Sequence, residues 1–232
     1  RLLMAGLLLW QWSITAYPED VFPELDLETR ITAVNEGDLR FLKAGEAVNY
    51  HLHLNKIEIT EVSFDEGWVT LRQCHENIDA VPSAQILYRA GRIQNLIITA
   101  SRNIGSARVE GHSVQLEDVS EQARLCVEGE SRALVALGGG GYALRNGPFM
   151  RRFLDGYYPM RVLIEITFPV DELVLTGIEP SPQVGFEVVP GEGVIKVDAL
   201  FEGRLSTCFL FCEPDSPNCI ADPHQCRVLP PR

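Results

Sequence analysis

"AVNYHLHLN", residues 47–55, alternates two kinds of side chain. Tyr50, Leu52 and Leu54 share one parity; Asn49, His51, His53 and Asn55 share the other. Successive side chains of a β-strand point to opposite faces, so a period of two over this length specifies a strand with one apolar and one polar face. The expectation is that the leucine side faces a core and the histidine side faces water. The run that follows, "KIEITEVSF", has the same period. It places Ile57, Ile59 and Glu61 on one side and Glu58, Thr60 and Val62 on the other.

Runs of the same character recur along the chain. "WVTLRQC", "AQILYRA", "NLIITAS", "ARVEGHSVQLE" and "ARLCVEG" precede residue 137, and "MRVLIEITF", "ELVLTGI", "VGFEVV", "GVIKVDALF" and "RLSTCFLF" follow it. Each is rich in Val, Ile, Thr or aromatic residues and is bounded by turn formers, which is the signature of short strands. "PGEG", residues 190–193, lies between two of them and reads as a tight hairpin. Helical periodicity is confined to one or two turns in "GPFMRRFLDGYY" and one in "LEDVSEQA". The pattern therefore specifies an all-β protein built as antiparallel β-sandwich layers. Four successive glycines in "LGGGGYALRNGP" weaken any strand interior and mark a breakpoint. The expected organisation is a first sandwich module over residues 17–137, a second β-rich module over 138–212, and a tail over 213–232.

The tail decides the covalent framework. Its stretch from Cys208 to Cys226, "CFLFCEPDSPNCIADPHQC", holds four of the six cysteines, the others being Cys74 and Cys126. "CFLFC" ends a strand-like run, so Cys208 and Cys212 lie on one face roughly 13 Å apart. A disulfide requires Cα atoms within about 7 Å, and two thiolates on one zinc sit about 2.3 Å from it. The pair can do neither. "EPDSPNC" is a Pro-containing reversal that lets the tail return along the strand. A nested pairing, Cys212 with Cys219 and Cys208 with Cys226, suits that return; a crossed pairing is the alternative. Cys74 and Cys126 are left for each other. They stand about fifty residues apart, as the paired cysteines of immunoglobulin-like domains do. No Trp lies between them, and Arg124 occupies the place two before Cys126 where those domains often carry Tyr. The expectation is thus immunoglobulin-like architecture without membership of the family.

An even set of cysteines belongs to an oxidising compartment. The first sixteen residues agree. Arg1 is followed by an uncharged, mostly apolar run to Ala16 and then by "YPED". This has the layout of a secretory signal peptide over residues 1–16 and is shorter than the roughly 20 residues of a membrane-spanning helix. The expected location is periplasmic or extracellular, with no transmembrane segment after cleavage. The formal net charge of −12 repels phosphate backbones, which argues against nucleic acid as a partner.

Two constellations carry chemistry. His51 and His53 project from one face at a spacing of roughly 7 Å, within reach of one zinc or copper ion. His75 or His112 would supply a third ligand; the competing reading is a solvated polar face. "RNGPFMRRFLDGYYPMR" gathers Arg145, Arg151, Arg152, Tyr157 and Tyr158, the locally basic and aromatic stretch of an acidic chain. Arg and Tyr are over-represented at interface hot spots, and the competing reading is a packing segment with Phe149 and Phe153 turned inward. No G-x-S-x-G and no phosphate-loop Lys-Ser or Lys-Thr is present. The function expected is a non-catalytic exported protein that docks onto another protein as an interaction or accessory subunit of a cell-envelope or extracellular assembly. The alternatives are a periplasmic metal-binding protein and a hydrolase or carbohydrate-binding module.

Overall fold

Strands dominate the described part of the chain, which in the computed structural model comprises residues 35–47, 50–217, 219 and 222–226. The expected signal peptide over residues 1–16, and the alternation at Asn49, lie outside the described residues. The first half supplies β1 (Arg40–Phe41), β2 (His51–Glu58), β3 (Trp68–Ile78), β4 (Val81–Leu87), β5 (Ile93–Glu110), β6 (Ser113–Arg132) and β7 (Leu134–Gly138). The second half supplies β8 (Gly141–Phe149), β9 (Arg151–Phe153), β10 (Gly156–Tyr158), β11 (Met160–Thr167), β12 (Val174–Glu179), β13 (Phe186–Gly191), β14 (Val194–Glu202) and β15 (Leu205–Cys212). One short helix, α1 (Ser63–Glu66), follows β2.

These strands form a nine-stranded sheet, a four-stranded sheet in the order β12-β15-β8-β7, and the two-stranded ribbon β9-β10. The large sheet runs β1-β14-β11-β2-β3-β6-β4, with β13 on β14 and β5 on β6. Pairing is antiparallel except between β2 and β11, which run parallel in the register His51↔Met160 to Glu58↔Thr167. A parallel neighbour requires a long crossover, and the whole stretch between β2 and β11 provides it. Local alternation cannot reveal such a partner.

Three expectations change against this framework. The glycine run is a hairpin turn: Gly138 closes β7, Gly141 opens β8, and Gly138, Gly139 and Gly140 all take positive φ. Strands from both sides of the expected 137/138 boundary therefore pair with each other, as β7 does with β8 and β2 with β11. Cys74 and Cys126 are directly opposite on neighbouring strands β3 and β6. Their bridge is a rung within one sheet, whereas the immunoglobulin bridge joins two sheets. The sequence between them is spent on the long β5–β6 hairpin. Finally, the two stretches with helical periodicity are strand. "GPFMRRFLDGYY" makes β9 and β10, and "LEDVSEQA" lies within β6, where Asp118 and Gln122 take positive φ and the strand changes partner from β4 to β3.

The two larger sheets share one hydrophobic cluster. The large sheet contributes Ile57, Leu71, Val162, Ile164, Ile166, Ile195, Val197 and Phe201, and the small sheet contributes Leu134, Leu144, Leu205, Phe209 and Phe211. A second cluster joins Val114 and Leu116 from one end of β6 to Leu125 and Val127 from the other, so the sheet curls over at the Asp118–Gln122 irregularity. The opposite face of the large sheet carries ion pairs such as Lys56–Glu165 and Arg161–Asp198. Among the described residues β5 pairs with β6 alone and presents a long edge; Arg102, Arg108 and three register shifts break its regularity, which is how edges resist further strand addition.

The cysteines pair as Cys74–Cys126, Cys208–Cys226 and Cys212–Cys219, the nested arrangement. Cys208 and Cys212 share the face of β15 that looks toward the tail, while Leu205, Thr207, Phe209 and Phe211 look toward the large sheet. Three disulfides point to an oxidising environment. Among the described residues no helix is long and apolar enough to cross a membrane.

Candidate functional site: a polar seam between the sheets

The histidine face of β2 is the buried face. His53 is 4% exposed and Asn55 fully buried, and the same parity continues into the core residues Ile57 and Ile59. Leu52 and Leu54 are half-buried on the side that carries the ion pairs. The expected orientation is therefore inverted. Two leucines outweigh two histidines in a local pattern, but the strand is one continuous run, and its apolar end fixes which parity looks inward.

Across the strand pair, His53 lies opposite His75 and Asn55 opposite Gln73. The residue types that would face water thus form a polar band between two hydrophobic clusters. Val162 of β11 lies on one side of the histidine row and Leu125 of β6 on the other. The small sheet covers the band with Phe149, Asn146 and Thr207. A hydrogen-bonded chain runs through it: the Tyr88 hydroxyl donates to Gln73 Oε1 at 2.9 Å, Gln73 Nε2 to Asn55 Oδ1 at 3.3 Å, and Asn55 Nδ2 to Asn146 Oδ1 at 3.3 Å. The last link joins one sheet to the other.

The histidines are less well satisfied. His51 Nε2 and His75 Nδ1 are 2.9 Å apart, so one ring donates to the other. His53 stacks on His75 with centroids 4.2 Å apart and meets Phe149 edge to face at 5.2 Å. Among the described residues, both nitrogens of His53 and Nε2 of His75 are buried without a hydrogen-bond partner, as are Asn146 Nδ2 and Thr207 Oγ1. Burial drives all three imidazoles toward the neutral form: His51 falls to about 4 and His53 to about 3, and His75 lies well below its ordinary 6.5. After burial, the nearby Arg151 charge depresses His51 further, while Asp79 acts the other way. His53 and His75 are depressed also by their neighbouring imidazoles.

The structure thus brings His51, His53 and His75 together, as the metal reading required. The fourth candidate, His112, lies apart in the turn of the β5–β6 hairpin. Stacked rings direct their in-plane lone pairs side by side instead of at one point. Among the described residues, no group of three or more His, Cys, Asp or Glu side chains is arranged to hold a metal ion.

The five interface candidates separate. Arg145 belongs to the tail joint, its Nη2 donating to the Gln225 carbonyl at 2.7 Å. The Arg151 side chain is 15% exposed. Its Nε donates to Asp79 Oδ2 at 2.9 Å, its Nη2 to Asp79 Oδ1, and its Nη1 to the Pro159 carbonyl at 3.1 Å. Arg151 therefore fixes the base of the β9–β10 hairpin beside His51. The other three stand on the hairpin itself. Arg152 is exposed, with its guanidinium 5.6 Å from the centre of the half-buried Tyr157 ring; Tyr158 is exposed and donates to Asp155 Oδ2 at 2.7 Å. Phe149 turns inward as expected, and Phe153 is half-buried. Leu154, at the hairpin tip, is fully exposed and was missed, because a lone leucine before "DG" carries no interface signal in sequence. No protein-family model matches the chain, and no curated protein matches it.

Proposed function

We propose that this chain is an exported, non-catalytic β-sandwich protein that serves as an interaction or accessory subunit of a cell-envelope or extracellular assembly, docking through the β9–β10 hairpin. The observation that carries this reading is the hairpin itself. It holds Leu154, Arg152 and Tyr158 in the open on a base fixed by the Arg151–Asp79 pair. An exposed leucine between an arginine and a tyrosine contributes nothing to the core, and Tyr and Arg are the residue types that dominate interface hot spots. A rigid base reduces the ordering cost of association. Three disulfides support the exported location. The test is native fractionation of the expressing cell: the wild-type chain should migrate within a larger assembly, and Arg152→Glu with Leu154→Ser should migrate as a free chain with its melting temperature unchanged. A doubly substituted chain that stays in the assembly rules the hairpin out.

A second reading, a periplasmic zinc or copper protein, draws on the proximity of His51, His53 and His75. It requires the stacked rings to rotate apart. Metal analysis of the purified protein, repeated on His51→Ala/His53→Ala, decides it.

A further inference from the structure

We propose that the partner of the β9–β10 hairpin is a second copy of this chain, which receives Leu154 and Arg152 in the acid-rimmed apolar groove at the far end of β2 and β11, so that copies associate head to tail. This inference rests on the hairpin being the docking element and deepens that reading by naming the occupant of each surface.

The groove is built where the two parallel strands stop. β2 ends at Glu58 and β11 at Thr167, opposite each other in register, and the Ile59 N–H donates to the Thr167 carbonyl at 2.9 Å. The segments that follow, residues 59–62 and 168–169, line an open groove of about 650 Å³. Its walls are apolar: Ile59 is buried, Phe168 and Pro169 are half-buried, and Val62 stands 74% exposed. Glu58 and Glu61 are exposed along it, and among the described residues neither belongs to an ion pair. Residues 57–71 and 167–176 contain six acids and no Lys or Arg. Lys56 and Lys196, inboard on β2 and β14, are engaged by Glu165. Such a rim attracts a cationic side chain and disfavours an anionic one.

The hairpin carries the complement. Asp155, the one acid in residues 151–158, is turned to the Tyr158 hydroxyl at 2.7 Å, and Arg151 is occupied by Asp79. That leaves Leu154, fully exposed at the tip, and Arg152, which lies over Tyr157 and among the described residues has no carboxylate in ion-pair range. A leucine and an unpaired guanidinium match an apolar groove with unpaired carboxylates. One chain cannot close this contact on itself. The hairpin sits at the His51–Met160 end of the β2–β11 pair, since Arg151 binds Asp79 just past β3 and β10 leads into β11. The groove sits at the Glu58–Thr167 end, seven strand rises or roughly 23 Å away. The arms of the hairpin are three residues each and reach roughly 10 Å. The contact is therefore made between copies. Two different surfaces meet in it, so it propagates into a ring or an open chain instead of ending at a dimer.

The experiment is sedimentation equilibrium of the purified full chain, disulfides intact, from about 1 µM to about 1 mM. The wild type should grow past a dimer as concentration rises. Arg152→Ser/Leu154→Ser, which spoils the hairpin, and Glu58→Lys/Glu61→Lys, which spoils the groove, should each weaken association at least about tenfold. Melting temperatures should not change, because all four side chains are exposed. Mixed in equal amounts, the two variants should form a dimer and stop there, since one intact hairpin and one intact groove remain between them. A wild type that stays monomeric to about 1 mM, a groove variant that associates like the wild type, or a mixture that gives no dimer would each overturn the proposal. The docking reading fails separately, when the hairpin variant stays in the assembly on native fractionation. A chain that is monomeric when pure, yet leaves the assembly when its hairpin is substituted, overturns this proposal alone and assigns the hairpin to a different protein.

Discussion

Acidification from pH 7.5 to 5.0 should cost this protein a large share of its stability through the histidine seam. An imidazole whose pKa is lowered by folding stays neutral while its unfolded counterpart takes up a proton. The unfolded state therefore gains as pH falls. The stability contribution is complete above the ordinary pKa of about 6.5, declines below it, and levels off only under the folded values of about 4 for His51 and about 3 for His53. Between pH 7.5 and 5.0 each group contributes about 2 kcal/mol of loss, so His51 and His53 together account for about 4 kcal/mol, and His75 adds to the same direction. Against a typical total of about 5–15 kcal/mol this is decisive. Carboxylates ordinarily titrate near pH 4 and contribute little above pH 5. Urea unfolding by far-UV circular dichroism at half-unit steps measures the slope. His53→Leu should flatten it by about one proton, and His51→Gln by a similar amount. A stability that is flat from pH 7.5 to 5.0, or a slope that both variants leave intact, would refute the assignment of these histidines to a neutral, desolvated seam.

Phe149→Ala should cost about 3–5 kcal/mol in urea unfolding, because Phe149 is buried against His53 and fills the seam. Arg151→Ala should cost about 1–3 kcal/mol by leaving Asp79 without its two donors, whereas exposed Arg152→Ala should stay within about 0.5 kcal/mol. Peptide mapping should find all six cysteines oxidised in the nested pattern; a Cys208–Cys212 bridge would contradict the extended conformation of β15. Loss of Cys74–Cys126 should cost about 4 kcal/mol in the chain-entropy picture and each tail bridge about 2–3, so mild reduction should free the tail before the sheets unfold. Purified protein should carry no stoichiometric zinc or copper; one equivalent that disappears in His51→Ala/His53→Ala would restore the metal reading.

Much of the fold is legible in local periodicity. Nearly every run of β-rich sequence is a strand, the "PGEG" turn joins β13 to β14, and the geometry of "CFLFC" excluded a Cys208–Cys212 bridge, leaving a crossed pairing open beside the nested one observed. The errors share one cause: they concern what a strand meets, not whether it is a strand. Period two fixes two faces and is silent on which is inward. The decisive signal was parity, since His51, His53 and Asn55 are in step with Ile57 and Ile59, which reach the core. The β2–β11 parallel pair and the change of partner along β6 depend on residues far away in sequence, and no local pattern encodes them. Arg151 illustrates the same limit. Its composition suggested a surface, but Asp79, seventy-two residues away, turns it into an anchor.

The central claim is that three imidazoles are held neutral between the sheets, and imidazole NMR of the ¹⁵N-histidine-labelled protein reads it directly. From pH 7.5 downward, the ring nitrogens of His51, His53 and His75 should keep neutral-tautomer shifts to at least pH 5.5, with the His51–His75 hydrogen bond fixing one tautomer. Independent titration of the three rings near pH 6.5, in a protein whose sheets stay closed, would contradict the account.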